Sequence, residues 1–269
     1  MNSFEARFSG IGRLISVPGL RRLQQAHVAI IGLGGVGSWT AEALARSGLG
    51  RLTLVDLDDV CISNTNRQLH AWHGTFGQAK VDVLAERIRL INPECAVNPI
   101  RSFFLPSNAD ELLAPSFDFV VDAIDSPSRK SLLISKCRAR GIPVVTTGAA
   151  GGRRDPTAVR VIDLALSSHD RLLQEVRRLL RKRHGFPRGE VPFEVPCVCS
   201  PEPPVFPQKD GTICAQPGDE LDLRLDCQSG YGTACFVTGA FGFAAAACVV
   251  QRLAAQAESA PEHDAVLCR

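Results

Sequence analysis

Two hydrophobic periods alternate along the first 165 residues. His27–Ile31 is a short apolar run ending in glycine, the pattern of a parallel strand buried on both faces. Ser38–Ser47 has helical spacing and stops at Gly48. Arg51–Val55 is a second apolar run, closed by Asp56, Asp58 and Asp59. Together they read as a βαβ unit. Gly77–Ile91 predicts an amphipathic helix that ends before Asn92-Pro93. Ala96–Arg101, Phe117–Val121 and Ile142–Thr146 predict strands, Ser128–Arg140 a helix stopping at Gly141, and Val159–Ile162 a continuation of the sheet. Strand alternating with helix predicts a doubly wound α/β fold, Rossmann-like, with a mostly parallel sheet. Right-handed crossovers then gather the strand C-terminal ends on one edge, where ligands bind.

Beyond residue 165 the pattern changes. Leu166–His184 predicts a strongly basic helix, Gly185–Gln228 is rich in proline and glycine without a period, and Ala234–Leu253 predicts a long apolar helix. Cys197 and Cys199 fall in the aperiodic stretch and read as loop residues, and the tail from Ala257 reads as frayed. The expected organisation is one domain over residues 1–269, a nucleotide-binding core at about 20–165 with an extension at about 166–256.

The chain has 269 residues, 45% apolar and 22% charged, which is enough for a large buried core and excludes general disorder. A formal charge of +2 does not by itself argue for nucleic acid or an acidic membrane. There are ten cysteines. The first residues carry Glu5, Arg7 and Arg13 without an apolar segment, so no secretory signal is read and the expected compartment is the reducing cytoplasm, with free thiols. No Cys-x-x-Cys occurs, which argues against a four-cysteine zinc site. Cys227–Gln251 contains no charged residue and is long enough to span a membrane. Its polar residues Gln228, Ser229, Thr233 and Thr238 favour a buried helix at a dimer interface, with membrane association the lesser reading.

The strand ending at Ile31 runs into Gly32-Leu33-Gly34-Gly35-Val36-Gly37 and then a helix. Glycines permit positive φ and let a nucleotide lie close to the backbone, and the helix N-terminus offers N–H groups to phosphate. Asp56, at the end of the second strand, stands where a carboxylate accepts hydrogen bonds from ribose. The same fingerprint suits NAD, so a dehydrogenase is a rival. The polar residues beyond the second strand favour ATP: Asp58, Asn64, Arg67, Gln68 and Lys80, then Asp125 after a later strand, all on the ligand edge. Asn64, Arg67 and Lys80 suit phosphate oxygens, and Asp125 suits a Mg²⁺ that bridges them. Hydride transfer needs no such set, whereas nucleotidyl transfer needs its charge neutralisation.

These motifs, Gly32–Gly37, Asp56, Asn64–Gln68, Gly77–Lys80 and Asp122–Asp125, resemble the adenylating superfamily of the ubiquitin-activating enzymes and their bacterial relatives in thiamine and molybdopterin synthesis. Arg7-Phe8, Arg13-Leu14, Asp58–Cys61, Ile91–Cys95, Thr146–Gly148, Asp155–Thr157, Val205–Gln208, Asp210–Thr212, Tyr231-Gly232 and Phe241–Phe243 are similar to one branch, the tRNA-modifying dehydratases acting on threonylcarbamoyladenosine. The resemblance implies ATP, with Mg²⁺ as cofactor and a monovalent cation left open. It implies tRNA bearing threonylcarbamoyladenosine next to the anticodon as substrate, its threonyl carboxylate activated as acyl-AMP before ring closure. It also implies a homodimer in which an N-terminal arginine, Arg13 or else Arg7, reaches the partner subunit's site. Cys227 resembles a family cysteine: it reads either as a thiol exchanging acyl or persulfide groups with a cysteine desulfurase, or as a small core residue. Arg171, Arg177, Arg178, Arg181, Lys182, Arg183 and His184 offer phosphate contacts to tRNA, or a solvated helix face. The competing functions are adenylation of a small sulfur-carrier protein's Gly-Gly terminus and a non-catalytic adaptor for a desulfurase.

Overall fold

The computed structural model describes residues 3–208, 210–216 and 231–258. Two helices open the chain, α1 (Ser3–Ile15) and α2 (Val17–Gln25). Strands β1 (His27–Ile31), β2 (Arg51–Val55), β3 (Ala96–Ile100), β4 (Phe119–Asp122) and β5 (Val144–Thr147) alternate with α3 (Gly35–Arg46), α4 (Lys80–Ile91), the short α5 (Ala109–Leu112) and α6 (Pro127–Ala139). The chain continues through β6 (Arg160–Asp163), α7 (Arg171–Arg183), β7 (Pro196–Cys199), a two-stranded ribbon of β8 (Phe206–Pro207) and β9 (Ile213–Cys214), and α8 (Cys235–Glu258).

The seven-stranded sheet has the order β3-β2-β1-β4-β5-β7-β6 and is parallel except for β6, which pairs antiparallel with β7 at the edge. The order reverses between β1 and β4, so the crevice beyond their C-terminal ends is the topological switch point. Pro99 is tolerated in β3 because that strand is an edge.

Along β1, Val28 and Ile30 face one layer while Ala29 and Ile31 face the other, the two-residue period of a pleated strand covered on both sides. The first layer contains α3, α4 and α8, and the second α6 and α7. α8 packs its Val237, Phe241, Ala245, Val249 and Leu253 into the first layer. A Cβ at Gly242 would lie 2.7 Å from the Trp39 Cβ, so glycine is what lets α8 and α3 touch. Cys235–Ala257 is apolar and long enough to cross a membrane, and half of its apolar window is buried in the domain.

Several expectations change. The sequence pattern does not announce α1 and α2, yet Phe4, Phe8, Leu20 and Leu23 are buried. The helix expected from Gly77 starts at Lys80, since Gly77 sits at φ +82° in the preceding turn. The basic helix starts at Arg171, where the Asp170 carboxylate accepts the Leu173 N–H at 2.9 Å. Cys197 and Cys199 are not in a loop: they lie on the internal strand β7, both buried.

Candidate functional site

The glycine turn occupies the switch point. Gly32 has φ +92°, and a Cβ there would come within 2.7 Å of the Ala123 carbonyl at the end of β4. A Cβ at Gly37 would lie 1.9 Å from the Gly32 carbonyl, so the first turn of α3 closes on the strand only without one. Gly34 faces open space, with nothing nearer than the Gln68 Nε2 at 4.0 Å. The turn therefore clears room for a ligand against the free N–H groups that begin α3.

Asp56 braces this turn. Its Oδ2 accepts the Leu33 N–H at 2.6 Å and its Oδ1 the Asp58 N–H at 2.9 Å. Burial pushes its carboxyl above the ordinary range, against the opposing pull of Lys80 and the two N–H donors. Lys80, the first residue of α4, is buried, and its ammonium donates to Asp58 Oδ2 at 2.9 Å. Asn64 accepts the Cys61 N–H at 3.0 Å through Oδ1. Arg67 donates from Nη1 to the Ser63 carbonyl at 2.8 Å and to Asn66 Oδ1 at 3.1 Å, which leaves its other guanidinium donors for a ligand. The Arg67 carbonyl accepts from Trp39 Nε1 at 3.1 Å and from Thr238 Oγ1 at 3.0 Å, tying this loop to α3 and α8.

Of the two acidic residues at the end of β4 and just beyond it, only Asp125 lines the cavity. Asp122 is fully buried, paired with Lys130 Nζ at 3.1 Å and accepting Thr146 Oγ1 at 2.7 Å. Its Oδ1 also accepts the Ile124 N–H at 3.2 Å, which shapes the turn that presents Asp125. Asp125 is exposed to the cavity.

These groups line a cavity of about 700 Å³. One wall comprises Gly32, Gly34, Gly35, Asp56, Asp58, Asn64, Arg67, Gln68, Lys80 and Asp125. A second, uncharged stretch of lining is Thr147–Gly151, Leu172 and Tyr231–Thr233, joined to the first where Asn66 Nδ2 donates to the Thr233 carbonyl at 2.8 Å. A buried ion pair holds that second wall: Asp170 Oδ2 accepts the Ala149 N–H at 2.8 Å and lies 3.6 Å from Arg153. Arg153 in turn donates to the carbonyls of Ala149 and His169, at 2.8 and 2.9 Å, and to that of Glu202.

Gly37 lies beneath the cavity rather than on its surface. Arg13 and Arg7 are not among the cavity-lining residues: α1 packs Phe4 and Phe8 against Gly48, ahead of the N-terminal end of β2. Cys227 lies outside the described residues. Sequence reasoning missed Arg129, which lines the cavity from the first turn of α6 with its guanidinium 4.7 Å from the Phe103 ring centroid. Its position just after a strand on the ligand edge is the signal that could have found it. Asp170 gave no signal beyond a helix cap. The basic residues of α7 are partly committed within the protein: Arg178 pairs with Glu175, Arg181 donates to the carbonyls of Pro187 and Gly189, and Arg177 bonds Ser167.

Among the described residues, no three His, Cys, Asp or Glu side chains are grouped to hold a metal ion. A carboxylate lining a cavity beside Asn64, Arg67 and Lys80 nevertheless fits Mg²⁺, which takes one or two protein carboxylates and completes its shell with substrate phosphates and water.

A doubly wound sheet with a glycine turn at its switch point, phosphate-suited Asn, Arg and Lys, and a free Asp defines a nucleotide-dependent activating protein. The chain belongs to the ThiF family, whose model matches residues 10–261. It is 45% identical over 258 residues to the tRNA threonylcarbamoyladenosine dehydratase of Escherichia coli (strain K12), covering 95% of this chain and 96% of that protein. It is 44% identical over 254 residues to the protein of that name from Haemophilus influenzae, covering 94% and 95% of the two chains. The crystal structure of the Escherichia coli dehydratase in complex with ATP superimposes with a TM-score of 0.85 at 40% identity, covering 96% of this chain and 98% of that one. The molybdopterin-synthase adenylyltransferase of Escherichia coli is 36% identical over 132 residues, only 49% of this chain.

Proposed function

We propose that this protein uses ATP to remove water from threonylcarbamoyladenosine in tRNA. What carries the reading is near-full-length likeness, through both walls of the cavity, to dehydratases of that name, one of which is known with ATP bound. The sulfur-carrier reading rests on a likeness over half the chain.

The chemistry begins with the threonyl carboxylate, whose oxygen is a poor leaving group. In our reading that carboxylate attacks the α-phosphorus of ATP, pyrophosphate leaves, and an acyl-AMP forms. The carbamoyl group of the same side chain then attacks the acyl carbon and expels AMP, closing the ring with net loss of water. Gly34 and Gly35 admit the nucleotide, Asp56 receives the ribose hydroxyls, and Asn64, Arg67, Gln68 and Lys80 face its phosphates. The Lys80 ammonium and the Arg67 guanidinium neutralise charge that develops as pyrophosphate departs. Bound through Asp125, Mg²⁺ would supply further neutralisation of the phosphate oxygens. Arg13 would complete the site from a second copy of the chain, which accounts for its distance from the cavity of its own subunit; the expected assembly is a cytoplasmic homodimer.

Incubation with ATP, Mg²⁺ and modified tRNA, followed by digestion and mass measurement of the nucleosides, tests this. The expected product is threonylcarbamoyladenosine lighter by one water. An unchanged nucleoside, with pyrophosphate release triggered by a small carrier protein instead, would overturn the proposal.

A further inference from the structure

The two cavity walls differ in chemistry. The stretch formed by Thr147–Gly151, Leu172 and Tyr231–Thr233 carries no charged side chain. It is neutral, largely of small residues, and holds the chain's one tyrosine. It offers a polyanion no countercharge, and it offers a flat, uncharged ring an aromatic surface.

Tyr231 is held in place before any ligand arrives. Its ring lies 5.3 Å from the Phe206 ring, centroid to centroid, and Phe206 is itself capped by the Arg171 guanidinium at 5.8 Å. The backbone of Gly151 and Gly152 runs against the ring: a Cβ on either would meet Tyr231 atoms at 2.9 Å. Gly152 has φ +75°, and its N–H donates to the Gly232 carbonyl at 2.8 Å, pinning the tyrosine's segment to this loop. The Val205 N–H donates to the Gly152 carbonyl at 2.8 Å, which brings the segment bearing Phe206 into the same assembly. Two glycines, an aromatic and a stacked arginine thus fix one half-buried ring beside the cavity, an arrangement that lowers the ordering cost of binding.

We infer that Tyr231 is the stacking platform for the purine of the modified nucleoside, a specificity-determining contact for tRNA and not for ATP. The inference rests on the reading of the substrate given above. A threonyl carboxylate that must meet the α-phosphate brings its own base into the same cavity, and a base in a single-stranded loop enters by unstacking from its neighbours. An aromatic ring on a neutral wall replaces the stacking lost.

The test is steady-state kinetics with modified tRNA alongside equilibrium ATP binding, for the wild type and for Tyr231→Leu and Tyr231→Phe. Loss of one base stack raises the KM for tRNA roughly ten- to a hundredfold in Tyr231→Leu. ATP affinity stays within about twofold, and Tyr231→Phe, which keeps the ring, stays close to wild type. An unchanged KM for tRNA in Tyr231→Leu overturns the inference, as does an equal loss of ATP affinity or a Tyr231→Phe as impaired as Tyr231→Leu. If Tyr231→Leu does not fold, Tyr231→Trp decides: its added fluorescence is quenched by modified tRNA, and emission unaffected by tRNA overturns the inference. A wild type that binds ATP but removes no water from modified tRNA overturns the underlying reading of the substrate, and the stacking assignment with it.

Discussion

The two walls of the cavity are supplied by the chain in different ways. The charged wall comes mostly from one stretch, Gly32 to Lys80, with Asp125 added after β4. The uncharged wall is assembled from Thr147–Gly151, Leu172 and Tyr231–Thr233, segments that meet only in three dimensions. The first is charged and braced by local hydrogen bonds, such as that from Leu33 N–H to Asp56. The second carries no charge on its surface and is braced from behind by the Asp170–Arg153 pair.

The comparison breaks first at the buried support of the charged wall. Lys130→Met leaves the Asp122 carboxylate buried without its partner. The expected loss is about 3–5 kcal/mol, measured by urea unfolding. A loss under about 1 kcal/mol would mean that Asp122 is neutral in the folded protein.

Next comes Asp125→Ala, which removes the free carboxylate and leaves the Asp122–Lys130 pair intact. Water removal from the modified nucleoside falls about 10²–10³-fold while tRNA affinity is retained. Unaltered turnover would remove Asp125 from the activation step.

The uncharged wall is probed by Asp170→Asn, which weakens the grip on the Ala149 N–H and on Arg153. The expected cost is about 1–3 kcal/mol in stability. The KM for modified tRNA should rise while ATP affinity holds. A fall in ATP affinity of the same size would show that the two walls are not separable.

The last effect concerns pH and leaves the stability at neutral pH untouched. His70 is fully buried behind the polar loop, and neither ring nitrogen is hydrogen-bonded among the described residues. Burial first, and the charge of Lys80 second, push its pKa from 6.5 down to about 3. Between those values the unfolded chain binds a proton that the folded one does not, so stability declines as pH falls through that window. His70→Phe removes this contribution, flattening urea midpoints between about pH 6 and pH 4. An undiminished slope in the variant would assign the acid sensitivity elsewhere.

The same contrast governs what could be read in advance. The glycine turn, Asp56, the Asn64–Gln68 loop and Lys80 were legible because each sits at a fixed offset from a strand or helix end, and backbone geometry alone carries such residues to the ligand edge. Arg129 sits at such an offset too and could have been found by the same rule, whereas the places of Tyr231 and Asp170 depend on how distant elements pack. Cys197 and Cys199 looked like loop residues because Pro- and Gly-rich neighbours hide the strand period. They become strand residues through pairing with β5 and β6. Phe4 and Phe8 form too short a pattern to stand out, and are buried by contact with α2 and Gly48.

By itself, the sequence determined the alternation of strand and helix, the strand-end chemistry and the activating nucleotide. Those come from local periodicity and from hydrogen-bonding groups that the backbone must satisfy nearby. Only the tertiary structure decided that Asp122 is a buried support while Asp125 lines the cavity. The same is true of α8, whose one face completes the core, and of the neutral second wall. These outcomes depend on which surfaces exclude water together, and burial is a property of the packed assembly, not of any single segment.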